Sequence, residues 1–372
     1  MRTGMYKLLC FLLALSLVAG IAVGCHTTPD PTTQTPPATQ VTTGVPTTLA
    51  PTTIPTTVPT EPTTVPTEPT TVPTEPTTVP NPTTSTSTQP DNPPQFPKLH
   101  GKHAFMYDTR TQQFLYLSHA EDTSWYPAST TKMFTVYIAL QYLSIDQVIT
   151  VGDEMDLVMN DASVAKFRKG DILTVMDIVY GVLLPSGCDA AYILAVHTGR
   201  ILLDNPEATA EEAAAAFVEE MNRLAGEMGM VNTHFVTADG YHDPEHYISL
   251  QAFAMIAQLC LTNENYVQAS STHTKYLTVK NTDGTTRTLY LRSTNKLLNQ
   301  YSRFYNKNVV GLKTGSHSYA GANLIAAFKV DGGHIIIGLF GYFGDWDLRF
   351  TDANAMFKFY QSLEEETSTP AQ

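Results

Sequence analysis

Hydrophobic and polar residues between positions 98 and 365 alternate in three successive patterns. Strand-like alternation comes first, apolar residues at helical spacing follow, and strand patterns then return before a last helical stretch. A capping-box pair, Thr174 with Asp177, marks the start of the second helix. The predicted strands are 104–107, 114–117, 275–279, 287–291, 309–314, 322–330 and 334–340. The predicted helices are 129–143, 174–184, 188–197, 210–228, 250–261 and 350–363.

This order of elements predicts a mixed α/β fold. Two strands at the start and three near the end, joined by tight turns, indicate an antiparallel five-stranded sheet flanked by helices. The helical middle of the chain then forms an inserted lobe. At roughly 265 residues, the predicted domain 98–365 is large enough to bury a sizeable core. Residues 366–372 are predicted to be a disordered tail.

The first 24 residues have the pattern of an export signal. Arg2 and Lys7 precede an apolar run at 8–23, which is short for a spanning helix of about 20 residues. Small residues before Cys25 are similar to a bacterial lipoprotein processing site and predict lipidation of Cys25. Ordinary cleavage nearby and an uncleaved anchor are the alternatives. Each predicts an extracytoplasmic protein that is tethered to the membrane at most through its N-terminal end.

Residues 25–97 consist mainly of threonine and proline. The seven-residue unit Thr-Thr-Val-Pro-Thr-Glu-Pro recurs from Thr56 to Pro76. Proline at this density forbids a helix, and the segment has too little apolar surface to fold. It is therefore predicted to be a disordered, extended stalk between the leader and the domain.

Charge and cysteine content exclude several classes of function. The net charge of −13 and the lack of a basic patch argue against a nucleic-acid partner. Of four cysteines, Cys10 and Cys25 belong to the leader; only Cys188 and Cys260 remain, so we do not expect a disulfide framework. No cofactor motif is present, and we expect none.

Three short motifs carry the candidate chemistry. Ser129 and Lys132 are one helical turn apart, so a hydroxyl nucleophile and an amine base can meet. Ser186 can relay a proton, and Lys313 in Lys-Thr-Gly can bind an anionic group beside a strand. Each motif alone is weak, but the conjunction of Ser-x-x-Lys, Ser-x-Cys and Lys-Thr-Gly indicates acyl transfer without histidine.

These motifs, with Asn232-Thr233-His234-Phe235 and Asn295-Lys296-Leu297-Leu298, resemble those of the serine D-alanyl-D-alanine carboxypeptidases. These enzymes are low-molecular-weight penicillin-binding proteins (peptidase family S11). The resemblance spans the whole globular region and implies the β-lactamase/penicillin-binding-protein-like fold. It also implies a peptidoglycan stem peptide ending in D-Ala-D-Ala as substrate, with β-lactams as covalent inhibitors.

The resemblance implies a role for each matching residue. Ser129 would be acylated, Lys132 would accept its proton, and Ser186 would relay a proton to the leaving D-alanine. The substrate-binding residues would be Lys313, Thr314, Gly315, Ser316 and Cys188, with the backbone N–H groups of residues 129 and 316 forming the oxyanion hole.

Two positions depart from the family pattern, which usually has asparagine at Cys188 and threonine at His317. A thiol is a weak donor and acceptor compared with an amide, which puts the positioning of Lys132 in doubt. Cys188 could line the groove or be a small buried side chain. His317 could bind a carboxylate or point to solvent, and the second alternative is slightly favoured.

Other functions remain open from the sequence. A β-lactamase is the nearest rival, although no Glu-x-x-Leu-Asn motif lies between Ser186 and Lys313. A non-catalytic wall-binding module is the second alternative. A metal site is not expected, because Gly240 and Pro244 predict a loop, not a helix, for the relevant side chains. These side chains are His234, His242, His246, Asp239 and Asp243.

Overall fold

The computed structural model describes residues 95–368. The predicted leader 1–24, Cys25 and the repeat stalk up to residue 94 lie outside the described residues. Among residues 95–368, we find no helix with the length and apolar character needed to cross a bilayer.

The described chain alternates strands and helices in the predicted order. The strands are β1 His103–Asp108, β2 Gln113–Leu117, β3 Ser124–Trp125, β4 Val148–Thr150, β5 Asp171–Thr174, β6 Ile248–Ser249, β7 Thr274–Asn281, β8 Thr286–Arg292, β9 Val309–His317, β10 Gly321–Val330 and β11 Gly333–Tyr342. The α-helices are α1 Lys132–Tyr142, α2 Val175–Leu183, α3 Cys188–Leu202, α4 Ala210–Glu227, α5 Leu250–Leu261, α6 Glu264–Ser270 and α7 Leu348–Ser368. Short 3₁₀ helices span Ala128–Thr131, Asp153–Leu157 and Lys296–Leu298.

The predicted five-stranded antiparallel sheet is confirmed. Its strand order is β2-β1-β11-β10-β9, so the first strands of the domain pair with the last. Successive residues of a strand point to opposite faces, and both faces of this sheet are buried. Ile335 and Ile337 pack toward Phe350 and Phe357 of α7, whereas Ile336 packs in the larger core on the other face. Burial on both faces explains the unbroken apolar run at 335–340.

The helical lobe contains a second sheet that the sequence pattern only partly predicts. The β7–β8 hairpin is confirmed, but it continues into β5 and β4 to make a four-stranded antiparallel sheet. Strands β4 and β5 are only three and four residues long, too short for a clear alternation. Asp171, which is fully buried, joins this sheet through an ion pair with Arg287 of β8.

Helix boundaries follow their capping signals. The capping box of Thr174 and Asp177 is present at the start of α2, and a second one of Thr209 and Glu212 starts α4. Helix α6, which was not predicted, is capped by Asn263. Helix α7 is longer than the predicted 350–363 and continues into residues predicted as a tail.

Candidate active site

The first motif lies where a strained turn enters helix α1. Ala128 has a left-handed φ of 49°, and the chain then forms one 3₁₀ turn over Ser129 before α1 begins at Lys132. This is a correction to the predicted start of a regular helix at Ser129. The turn places Lys132 Nζ 3.0 Å from Ser129 Oγ. The candidate nucleophile and base are therefore already in hydrogen-bond contact.

Lys132 is held by groups from two other elements. Its side chain is 0% exposed, and Nζ donates to the backbone O of Asp239 at 2.6 Å. Nζ also lies 3.3 Å from Cys188 Sγ, at the first residue of α3. These contacts fix the amine beside Ser129 and leave it few alternative positions.

The second motif forms a turn between α2 and α3. Ser186 has a φ of 66°, an unfavourable left-handed conformation for a serine. This conformation directs its Oγ to Lys313 Nζ, at 2.8 Å. The serine is nearly buried. Strain of this kind persists only where the surrounding structure imposes it, which is typical of functional sites.

The third motif lies on the edge strand β9 of the central sheet. Leu312, with a φ of 81°, precedes Lys313, whose Nζ also donates to the backbone O of Thr314 at 2.9 Å. A Cβ at Gly315 would lie 2.7 Å from Pro127 O and 3.0 Å from Ser129 N. Only glycine therefore allows the strand to approach the turn that carries the nucleophile.

Lys313 is buried more completely than a cation usually is. Its side chain is 1% exposed, and burial, reinforced by the positive charge of Lys132, lowers the pKa of Lys313 well below its ordinary value. A fully buried lysine without a carboxylate partner is costly to charge. The two lysines thus form a coupled pair in which a second positive charge is disfavoured.

Residues of all three motifs line a single cleft, which has a volume of about 700 Å³. Its walls are polar near the serines and aromatic near the outer rim. Lys132 and Lys313 lie behind this surface and reach it through their serine partners. The cleft is lined by Ser129, Asp161, Ala162, Ser163, Pro185, Ser186, Cys188, Asp239, Gly240, Tyr241, His242, Thr294, Thr314, Ser316, His317, Ser318, Tyr319, Trp346 and Arg349.

The sequence left open whether Cys188 lines the groove or is a small buried side chain, and both descriptions apply. It lines the cleft, yet it is 5% exposed and packed beside Lys132. Burial is the main cause that raises the pKa of its thiol, and the nearby charge of Lys132 only partly opposes this effect. The side chain is therefore a neutral thiol at the position where the family usually has an amide.

The ring of His317 does not point to solvent, so the alternative that the sequence slightly favoured is wrong. Its ring is half-buried against His242, with ring centroids 4.8 Å apart, and Nδ1 accepts the backbone N–H of Ala320 at 3.0 Å. Burial, together with His242, lowers the pKa of His317 to about 4. The ring is a neutral part of the aromatic wall.

Two of the histidines considered as metal ligands, His246 and His234, have structural partners. His246 is buried with Nε2 3.1 Å from Thr131 Oγ1, and His234 Nδ1 contacts the backbone O of Glu245 at 2.7 Å. Burial lowers the pKa of His246 to about 4. Among residues 95–368, no group of three potential ligands is arranged to hold a metal ion.

Several side chains of the cleft were not found by sequence reasoning, and Arg349 and Trp346 are two of them. Arg349 is the second residue of α7 and Trp346 lies two residues before that helix, both more than thirty residues after Lys313. Arg349 is 8% exposed, and its Nε and Nη1 atoms are buried without a hydrogen-bond partner within the described chain. No local motif marks this arginine, because only the packing of α7 against the sheet brings it to the cleft.

Comparison with known proteins agrees with the site. The sequence model of peptidase family S11, D-alanyl-D-alanine carboxypeptidase, matches residues 86–343. A D-alanyl-D-alanine carboxypeptidase of Streptomyces sp. strain K15 is 33% identical over 227 residues, which cover 59% of this chain and 73% of that protein. A Bacillus subtilis D-alanyl-D-alanine carboxypeptidase is 28% identical over 64% of this chain, and the match spans 57% of its own length.

Solved structures give the same result. The crystal structure of the Streptomyces K15 DD-transpeptidase has a TM-score of 0.64 and 29% identity, and it matches over 71% of this chain and 98% of its own. Structures of the same enzyme with a cysteine replaced by asparagine or by alanine are also similar to this chain.

The buried Lys313 should make stability depend on pH. Between its lowered folded pKa and the unfolded value of about 10.4, the unfolded chain binds more protons than the folded protein, so stability rises with pH. The free energy of unfolding of the wild type relative to Lys313→Met should therefore increase from about pH 7 to pH 9.5, by at most about 1.4 kcal/mol per pH unit. Urea denaturation at several pH values measures this difference.

The exposed Lys280→Met variant is the matched control, because it reports how the rest of the protein responds to pH. The lost Lys313–Ser186 hydrogen bond adds an offset that does not change with pH. Parallel stability curves for wild type and Lys313→Met would contradict the prediction.

Proposed function

This chain belongs to peptidase family S11, the D-alanyl-D-alanine carboxypeptidases, and we propose that Ser129 is the nucleophile with which it removes the terminal D-alanine from peptidoglycan stem peptides. The observation that carries this proposal is the 3.0 Å contact between Ser129 Oγ and the buried Lys132 Nζ. Ser129 lines the same cleft as Ser186 and Thr314.

Acylation would begin with attack of Ser129 Oγ on the carbonyl carbon of the penultimate D-alanine. The hydroxyl proton passes to Lys132 Nζ, which must be uncharged to accept it. The backbone N–H groups of Ser129 and Ser316 face the developing oxyanion. Their proximity is supported by the close approach of Gly315 to Ser129 N.

Release of D-alanine requires a proton on its leaving nitrogen. Ser186, whose Oγ is 2.8 Å from Lys313 Nζ, is the candidate relay for this proton. Water then attacks the ester carbonyl, Ser129 is regenerated, and the stem peptide is one residue shorter. Both serine–lysine pairs are thus used, one on each side of the scissile bond.

Recognition of the terminal carboxylate is assigned to the cationic part of the cleft. Thr314 and Lys313 follow the family pattern, and the Oγ1 atoms of Thr314 and Thr294 are 2.5 Å apart. Arg349 adds buried N–H groups that have no hydrogen-bond partner among residues 95–368, and a carboxylate would satisfy them with charge-assisted hydrogen bonds. Gly315 contributes by its close approach, not by a side chain.

A β-lactamase of class A needs a glutamate to activate the deacylating water. Within the described part of the chain, the acidic residues lining the cleft are Asp161 and Asp239, and no glutamate is among them. This supports slow release of bound penicillin.

A second candidate reaction is transfer of the acyl group to an amine, because the similar Streptomyces K15 enzyme is a DD-transpeptidase. The neutral thiol of Cys188 beside Lys132 supports this candidate. A thiol holds a hydrolytic water less well than an amide, so an incoming amine competes better for the acyl-enzyme.

We also propose that Cys25 is lipidated and that the stalk 25–97 extends the enzyme into the cell wall on which its family acts. The support is the apolar run followed by small residues before Cys25. A lipidated cysteine with more than one acyl chain would hold the protein firmly at the outer face of the membrane.

The acylation proposal predicts that labelled penicillin modifies Ser129. Wild-type protein should show a mass increase of one penicillin, mapped by peptide mass spectrometry to residues 129–132, and it should release D-alanine from a D-Ala-D-Ala peptide. Ser129→Ala should lose both properties, and Ser302→Ala, whose side chain does not line the cleft, should keep them. A wild type that forms no adduct and releases no D-alanine would refute the assignment, whereas rapid turnover of penicillin would identify a β-lactamase.

If Cys188 favours transfer of the acyl group to an amine, Cys188→Asn should change the ratio of hydrolysis product to transfer product. With a D-Ala-D-Ala peptide and an added amine acceptor, hydrolysis relative to transfer should rise roughly two- to tenfold in this variant, the value of about one hydrogen bond. Chromatography of both products measures the ratio, and Cys188→Ala serves as the control without an amide. Equal ratios in all three proteins would show that Cys188 does not decide between water and the amine. Activity seen only in Cys188→Asn would favour a non-catalytic wall-binding protein.

The anchoring proposal predicts that Cys25→Ser changes the location of the protein. When both forms are expressed in a bacterial host, the wild type should fractionate with membranes, and Cys25→Ser should lose the lipid mass and shift toward the unprocessed precursor. Identical processing and fractionation of the two forms would favour ordinary cleavage or an uncleaved anchor.

A further inference from the structure

The walls of the cleft differ in charge. Arg349 of α7 is buried and makes one wall cationic, and Lys313 of β9 lies behind that wall against Ser186. The loop before β5 contributes an exposed carboxylate, Asp161, to another wall. A cleft with this polarity fits a substrate that carries a negative and a positive charge at separate positions.

Asp161 is fixed relative to the candidate nucleophile. Tyr241 Oη donates to Asp161 Oδ1 at 3.0 Å, and the backbone N–H of Tyr241 donates to Asp239 Oδ1 at 3.0 Å. The backbone O of Asp239 in turn holds Lys132 Nζ. A φ of +76° at Gly240, whose missing Cβ would lie 2.0 Å from Ala128 O, locks this segment against the Ser129 turn. The hydrogen bond to Asp161 is the main cause that raises the pKa of Tyr241.

Asp161 differs from the other aspartates of its segment, which runs from residue 153 to residue 171. Asp153, Asp156 and Asp171 form ion pairs with an arginine or a lysine. Within residues 95–368, Asp161 forms no ion pair and instead faces the cleft. Of these four aspartates, Asp161 is therefore the one that lines the cleft, and its negative charge is not neutralised by an ion pair within residues 95–368.

We propose that Asp161 determines substrate specificity by binding the side-chain ammonium of a diamino acid that precedes D-Ala-D-Ala in the stem peptide. This inference rests on the proposed function and deepens it by naming the preferred substrate class. The terminal carboxylate lies against Arg349 and Thr314, and the ammonium lies against Asp161 with Tyr241 beside it. The hydroxyl of Tyr241 orients the carboxylate and leaves its second oxygen for the ligand.

The size of the effect follows from the exposure of the carboxylate. Exposed ion pairs are worth little, so a preference of about two- to fivefold in kcat/KM is expected for a cationic over a neutralised side chain. The preference should decrease as salt is raised, because salt screens exposed charges. It should arise in KM more than in kcat, since the ammonium is remote from the bond that breaks.

The experiment compares two peptides that differ by one charge. Nα-acetyl-L-lysyl-D-Ala-D-Ala keeps the side-chain amine, and Nα,Nε-diacetyl-L-lysyl-D-Ala-D-Ala removes its charge. D-Alanine release is measured for wild type, Asp161→Asn and the control Asp156→Asn, whose carboxylate pairs with Lys169. The wild type and the control should prefer the free amine, and Asp161→Asn should cleave both peptides equally.

Intact chemistry is verified in the same proteins by the rate of acylation by benzylpenicillin, which carries no amine and should react equally with all three. A preference for the free amine that survives in Asp161→Asn would overturn the proposal, as would equal rates on both peptides in the wild type. A wild type that cleaves neither peptide and is not acylated would overturn the proposed function, and this inference with it.

Discussion

The architecture depends on the burial of two lysine side chains, each against a serine hydroxyl. Lys132 and Lys313 are almost fully buried, which would be prohibitive for two permanent cations. Their contacts with Ser129 and Ser186 satisfy part of the hydrogen-bonding capacity of each amine within the interior. Burial, reinforced by the positive charge of Lys132, lowers the pKa of Lys313, so a second positive charge in this space is disfavoured.

Close approach between backbone segments holds these pairs in place. Strand β9 meets the Ser129 turn at Gly315, and the loop at Gly240 meets the same turn from another direction. Left-handed residues occur in all three motifs, at Ala128, Ser186 and Leu312. Each has an unfavourable conformation, and the apolar core on both faces of the central sheet supplies the stability that maintains it.

The sequence pattern predicts most elements, and its three motifs name the candidate nucleophile, the candidate base and the Lys-Thr-Gly strand, because these are encoded over short spans. It does not predict β4 and β5, whose few residues carry no resolvable period. It also gives the wrong environment for His317, since a ring at the end of a strand can turn either to solvent or, as here, onto His242. Arg349 and Asp161 have no motif, and their roles come from what packs around them.

The sequence by itself determined the fold class, the order of strands and helices, and the three motifs, because helical and strand periodicity and a one-turn spacing are local properties. The tertiary structure alone decided that serines 129 and 186 share one cleft, that Cys188 touches Lys132, and that an arginine and an aspartate complete its charged walls. These contacts join residues that are tens to more than two hundred positions apart in the chain. Distances between such residues depend on how whole elements pack, which short-range patterns of hydrophobicity do not encode.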